Sequence, residues 1–315
     1  RDTIRDCHDR YDEIELELQG ITQEQKKRLE EKQSETFVSQ TEGFLALLED
    51  ELMSFHDVEF RGLTLTENEL IHLFYFKFQE IPLLSRMDAV MEYFIDEYET
   101  LHDCTLSEED LDIIARKFEK LYVTRDLYKI YNKLLEENGY PTLPDVPQEK
   151  RVLAYEDVYP LLYLKYRLCR VRDHKNIKHL VIDEMQDYSY LQYLILRQMF
   201  NCKMTILGDR AQTMEEQTHD VLEFLPGIFG KDIRKIILNK SYRNTVEIAE
   251  YANRTAGIRD MEIFQRHGKE VEEKVLDGKE AAAEEICRDL NLGPQGYETA
   301  ALLTMSEEEA LKVYE

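Results

Sequence analysis

The stretch Ile177–Asp187, IKHLVIDEMQD, constrains this chain more than any other. Leu180, Val181 and Ile182 form an apolar, partly β-branched run that stops abruptly at Asp183 and Glu184. Such a run reads as a buried parallel strand that delivers two carboxylates to the C-terminal edge of a sheet. In open α/β sheets that edge is where ligands bind. Adjacent carboxylates there suit magnesium and phosphate chemistry, one holding the metal and the other orienting an attacking water.

From about Ile177 onward, strands and helices are expected to alternate, which implies a parallel α/β sheet. Ser189 to Phe200 is expected as a helix, Met204 to Leu207 as a second strand ending at Gly208-Asp209, and Ile233 to Leu238 as a third. Asn244 with Glu247 reads as the N-cap and capping box of a helix from Thr245 to Asn253. Ala300 to Leu303 is expected as a fourth strand, with a helix cap over Ser306 to Glu309.

The preceding half reads differently. Ile4, Cys7, Tyr11, Ile14, Leu18 and Ile21 form a narrow helical seam, as in a coiled-coil arm. Thr22 to Thr36 is almost wholly polar, with Thr22 and Gln25 able to cap a solvated helix or a mobile tip. Helical spacing returns from Phe44 to Phe55, and Thr66-Glu67-Asn68-Glu69 reads as a helix start. Leu70 to Tyr98 is rich in aromatics at helical spacing, broken at Pro82, and another helix is expected from Ser107 to about Asn138. No strand or hairpin signal rises above this background. Tyr140–Pro147 holds three prolines in eight residues and reads as a linker or domain boundary. A helix over Tyr155 to Leu168 follows it.

Charge narrows the function. The net charge is -25, which argues against a simple basic nucleic-acid cradle. Residues 1–100 hold 25 acidic and 10 basic side chains, a balance of -15, so an acidic module precedes a more balanced one. The five cysteines, Cys7, Cys104, Cys169, Cys202 and Cys287, are widely spaced without a CxxC pair, which suggests a reducing compartment and no structural zinc. No signal peptide or apolar run of membrane length is present, so a cytoplasmic location is expected.

An acidic pair at a strand end is, by itself, most often just a solvated turn. Three blocks in order say more: Val181–Asp187, Thr205–Gln212 and Leu238–Asn244. Each is expected to start on a buried strand and end in polar groups at one sheet edge, offering carboxylates, an amide and a guanidinium. These blocks resemble three signature motifs of superfamily 1 helicases of the UvrD/Rep type, over about Tyr155 to Glu315. Tyr155–Leu168 leading into DEMQDYS is similar to the HelD, or helicase IV-like, branch.

The resemblance implies a RecA-like, P-loop-type parallel sheet, present in part, with a large all-α N-terminal insertion. It divides the chain into a helical acidic arm over 1–147, part of a first RecA-like domain over 148–235, and the start of a second over 236–315. It implies ATP and magnesium as cofactors. Asp183 would hold the metal with Glu184 beside it, and Glu184 would act as catalytic base. Gln212 would contact the attacking water or the γ-phosphate, Arg243 would serve as an arginine finger, and Tyr242 would stack on adenine. A core aromatic at Tyr242 and a surface ion pair at Arg243 are the plainer readings of those residues.

HelD-type proteins use ATP to help release bacterial RNA polymerase from nucleic acid, so polymerase is the implied partner, with DNA reached through the whole protein and no membrane involved. Two features depart from the general pattern. No GxxxxGK[ST] loop occurs, which the insertion reading places upstream of Arg1, with later motifs beyond Glu315; this segment alone would then hydrolyse ATP poorly. The run after Gln212, Thr213-Met214-Glu215-Glu216, has no ring for base stacking, and the chain has no Trp, which weighs against ordinary unwinding. A conventional UvrD/Rep-like DNA helicase and a non-enzymatic interaction module with a degenerate ATPase are the other readings.

Overall fold

A computed structural model describes residues 23–170, 174, 176–209, 221–230, 232–257 and 261–290, with 301, 303, 304 and 309. The seam from Ile4 to Ile21 and the strand and cap expected between 300 and 309 lie mostly or wholly outside the described residues. The fold is mixed α/β, predominantly helical, with small parallel sheets. Two compact units divide it, Arg1–Lys235 and Ile236–Glu315. Among the described residues no helix is long and apolar enough to cross a membrane.

The described part of the first unit begins with helix α1, Gln23–Lys32. Helix α2, Glu35–Glu51, begins well before the expected Phe44, because the Ser34 side chain accepts from the Phe37 N–H and caps it. Its buried residues Phe37, Val38, Thr41, Phe44 and Leu48 lie on one helical stripe. A hairpin that the sequence reading missed comes next, β1 (Val58–Phe60) paired antiparallel with β2 (Leu63–Leu65). Its two-residue turn, Arg61-Gly62, has φ of 44° and 88°. That is the left-handed pair a tight hairpin turn requires, and Gly62 takes it without a Cβ penalty.

Helix α3, Glu67–His72, carries the expected Thr66/Glu69 capping box, then loosens into one π turn over Leu73–Lys77. Helix α4, Leu83–His102, starts after Pro82. The single helix expected over 107–138 is two, α5 (Glu108–Glu119) and α6 (Leu127–Glu137). Tertiary pairing breaks it: Ser54 N–H donates to Leu121 O at 2.8 Å and Val123 N–H to Leu52 O at 2.9 Å. Phe74, Val90, Phe94, Ile114, Leu121 and Leu134 meet in one fully buried cluster.

Tyr140–Pro147 carries no regular secondary structure, in keeping with its prolines, yet it is no loose joint. Tyr140 and Leu143 pack on the core, and the Asn132 amide brackets Leu143, donating to its carbonyl at 3.0 Å and accepting from its N–H at 2.7 Å. Helix α7, Tyr155–Leu168, sends Leu164 and Leu168 into the same cluster. It also holds α1. Lys32 Nζ lies 2.5 Å from Asp157 Oδ1 and 3.5 Å from Glu156 Oε1, and Tyr131 donates to Asp157 Oδ1 at 2.6 Å. The polar stretch expected to be solvated is therefore docked, with Lys32 only 2% exposed.

Beyond α7 the chain alternates strand and helix as expected. Strand β3 (His179–Ile182) pairs parallel with β4 (Lys203–Ile206), Ile182 opposite Ile206. Between them runs α8, Tyr190–Met199, closed by a Ser189/Gln192 capping box. Helix α9, Val221–Phe229, follows β4, and Ile182, Tyr193, Val221 and Leu225 form the core beneath the strands.

The strand expected over Ile233–Leu238 is not formed, and Leu238 is 86% exposed. An apolar run becomes a strand only where a neighbour takes its backbone groups and a layer covers it. In the second unit the ladder begins only at Asn239, whose carbonyl accepts from Glu262 N–H at 2.7 Å. There β5 (Lys240–Ser241) pairs parallel with β6 (Glu262–Ile263). Helix α10, Val246–Ala256, starts one residue later than expected, with Thr245 at its N-cap. Glu247 accepts from Gly268 N–H at 2.8 Å and meets His267 Nδ1 at 2.9 Å. Helix α11, Lys279–Leu290, follows.

Candidate functional site

The parallel pair β3–β4 sets up the site by continuing past its strands on one side only. Leu207 N–H donates to Ile182 O and Met185 N–H to Leu207 O, both at 2.8 Å. Asp183 and Glu184 are therefore looped out of the ladder between two bonded residues, and both are exposed. Glu184 sits in the left-handed region at φ 50° and ψ 56°, an uncommon conformation for a residue with a Cβ. The Asp183 carboxylate accepts from the Glu184 N–H at 3.0 Å and so fixes that loop.

Behind the exposed pair lies a buried floor. Met185 and Gln186 begin a short 3₁₀ turn and are both buried. Tyr193 donates to Met185 O at 2.9 Å, and burial pushes that hydroxyl above the ordinary phenol range. The Gln186 amide uses both ends: its Nε2 donates to Glu184 Oε2 at 2.7 Å, and its Oε1 accepts from Asp209 N–H at 3.2 Å. One side chain thus ties the first block to the second and holds the Glu184 carboxylate. Gly208 makes this possible. A Cβ there would stand 2.2 Å from Met185 Cγ, 2.8 Å from Gln186 Oε1 and 2.8 Å from Met185 N.

Of the sequence candidates, Asp183 and Glu184 are brought together, next to Asp209 and Gly208 of the second block. Gln212 lies outside the described residues. Tyr242 and Arg243 follow β5 in the second unit. Tyr242 is 63% exposed, so it is not a core ring. Its centroid is 5.7 Å from that of Phe264, and Lys240 Nζ stands 5.7 Å over it. Arg243 is exposed, and its carbonyl accepts from the Arg266 guanidinium. Sequence reasoning gave no role to Gln186, Gly208 or Phe264. A glycine two residues past β4 was a usable signal for Gly208; nothing local marks Phe264.

The donor set bears on the metal. Asp183 and Glu184 supply hard carboxylate oxygens, and among the described residues no group of three or more His, Cys, Asp or Glu could hold an ion. Two carboxylates without a protein cage fit magnesium, which keeps several waters and is completed by substrate phosphates. No family model matches the chain, and no curated protein matches it.

Proposed function

We propose that this chain belongs to a magnesium-dependent ATP motor of the superfamily 1 helicase type, in the HelD branch, that remodels RNA polymerase or releases it from nucleic acid. The observation that carries the reading is the pair Asp183 and Glu184, exposed just past the end of β3, which pairs parallel with β4, with the Glu184 carboxylate held by the buried Gln186 amide. In this reading β3 and β4 belong to a RecA-like sheet, and residues 236–315 open a second RecA-like domain.

Asp183 would hold magnesium, with Glu184 alongside, and the metal when bound would neutralise phosphate charge. Glu184 orients the attacking water and accepts its proton, and Gln186 keeps that carboxylate in place. Gln212 contacts the water or the γ-phosphate. Arg243 supplies a permanent charge to the γ-phosphate, and Tyr242 a ring to adenine. The balance of -15 over residues 1–100 supports a basic protein channel as partner, because an acidic arm repels DNA.

The test is hydrolysis and nucleotide binding by the protein that carries this chain together with a phosphate-binding loop. Glu184→Gln should lower turnover by ~10²–10⁴-fold and spare ATP binding. Retention of more than about a tenth of turnover removes Glu184 from the base role. Capture of polymerase by the acidic arm, weakening with salt, is expected alongside; duplex DNA binding without it would return the protein to the conventional helicases.

A further inference from the structure

We infer that Phe264 is the second ring of the base-binding platform, so that Tyr242 and Phe264 together receive the flat base of a nucleotide while Lys240, Arg243 and Arg266 surround its anionic tail. This rests on the nucleotide reading above and adds residues to it.

The juxtaposition is built by the backbone. Strands β5 and β6 are parallel and end side by side, and each is followed directly by an aromatic residue. Phe264 N–H donates to Ser241 O at 3.0 Å, which carries the ladder one residue beyond the strands and fixes Phe264 next to Tyr242. The rings lie 5.7 Å apart at 35°. Single exposed aromatics are ordinary on a protein surface. Two rings side by side at the ends of parallel strands, 63% and 46% exposed, form a stacking surface where burial would otherwise be favoured.

Charge selects the occupant. Residues 239–247 and 261–269 carry four Lys and Arg against two Glu, in a chain whose net charge is -25. One of those cations, Lys240, stands over the Tyr242 ring and lies 3.9 Å from Glu262. Rings beside cations suit a planar base joined to phosphate better than an apolar ligand or an acidic peptide.

The wall is also held in place before anything binds. Arg266 N–H donates to Phe264 O at 2.7 Å, Val246 N–H donates to Arg266 O at 2.8 Å, and the Arg266 guanidinium donates to Arg243 O. Glu247 pins Gly268 and His267 behind it. A platform ordered in advance loses little conformational freedom on binding.

The test uses the 315-residue chain, which has no Trp, so Phe264→Trp installs a unique fluorophore at the platform. ADP should quench its emission saturably, and inorganic pyrophosphate, which has no base, should not. Phe264→Leu should weaken binding of a fluorescent ADP by about fivefold or more, and Phe264→Tyr should stay within about twofold of wild type. Equal quenching by pyrophosphate, or quenching by single-stranded oligothymidylate that ADP does not displace, overturns the inference. Unchanged affinity in Phe264→Leu, with loss in Tyr242→Ala, also overturns it but leaves the ATP reading intact on Tyr242 alone. Absence of ADP binding by the wild-type chain overturns it too, while the Glu184 measurement decides the motor reading separately.

Discussion

Between Phe37 and Leu168 the chain closes one large core, with Phe74, Val90, Phe94 and Leu134 wholly buried, and Lys32 just ahead of it is buried as well. From His179 onward it buries far less. Val181, central in β3, stays 60% exposed, and in the second unit Val246 and Ala249 are the buried apolar residues among those described. Parallel strands are ordinarily covered on both faces. The helical region is therefore held by packing. The strand ends that carry Asp183, Glu184, Tyr242 and Phe264 are held by individual hydrogen bonds and close backbone contacts. Stability and the proposed chemistry fall in different parts of the chain, and substitutions should separate them.

The largest effect is expected where the packed region encloses charge. Asp157 accepts from both Lys32 and Tyr131, and burial, reinforced by the Asp157 charge, pushes the Tyr131 hydroxyl far above the ordinary phenol range. Asp157→Ala leaves Lys32 buried with only Glu156 at 3.5 Å. The expected cost is roughly 3–5 kcal/mol, or about 6–20 °C in Tm. Nucleotide binding by the folded protein should not change. Replacing both partners, Lys32→Met with Asp157→Leu, should recover much of the loss, because no charge is then stranded. A double variant as unstable as the single one would mean that the pair contributes geometry beyond its charge balance. Thermal melts of the three proteins decide it.

A smaller effect, confined to the site, is expected at Gly208. The Cβ of Gly208→Ala would meet the Met185 backbone and the Gln186 amide, and neither can leave without breaking the ladder or releasing Glu184. Overpacking of this kind costs about 1–3 kcal/mol. The loss should be read as faster hydrogen exchange at the Met185 and Leu207 amides, with α4 and α6 in the helical core unaffected. Exchange that rises equally in both places would show that the strand pair and the helical core open as one.

How much of this was legible in the sequence follows from how local each feature is. Capping boxes are short-range, and Thr66/Glu69 was placed correctly from spacing alone. Strands β3 and β4 were legible because apolar runs end sharply at Asp183 and Gly208-Asp209. The β1–β2 hairpin was not, because three-residue strands are too short to establish an alternation against aromatic helices. The break between α5 and α6 was hidden because its cause, pairing with residues 52–54, lies about seventy positions away. Distance also hid the Lys32–Asp157 pair, 125 residues apart. In the site, Asp183 and Glu184 could be named from sequence. The link from Gln186 to Asp209 spans 23 residues and two strands, and became visible only with their register.

The smallest effect concerns the start of α10, where the sequence misplaced the cap. The Glu247 carboxyl is held down at about 2, against an ordinary 4.5, first by backbone N–H groups, its own and that of Gly268, and then by His267. Hydrogen bonds to the charged form are the cause. A carboxyl depressed on folding contributes stability that is complete above its unfolded value and is lost as the pH falls through the folded one. The window here runs from about 4.5 down to about 2. Protection of the α10 amides against exchange should therefore decline across that window in the wild type. In Glu247→Gln it should be lower at neutral pH and flat across the same range, because no titrating group remains at that position. The effect should also stay local, since Glu247 joins α10 only to the segment around Gly268 and reaches no core. A wild-type slope that survives in Glu247→Gln would assign the acid sensitivity of the second unit to another carboxyl. The surface ion pair of Glu285 with Lys274 and Arg288 would be the next group to substitute, since those cations also hold its carboxyl below the usual range.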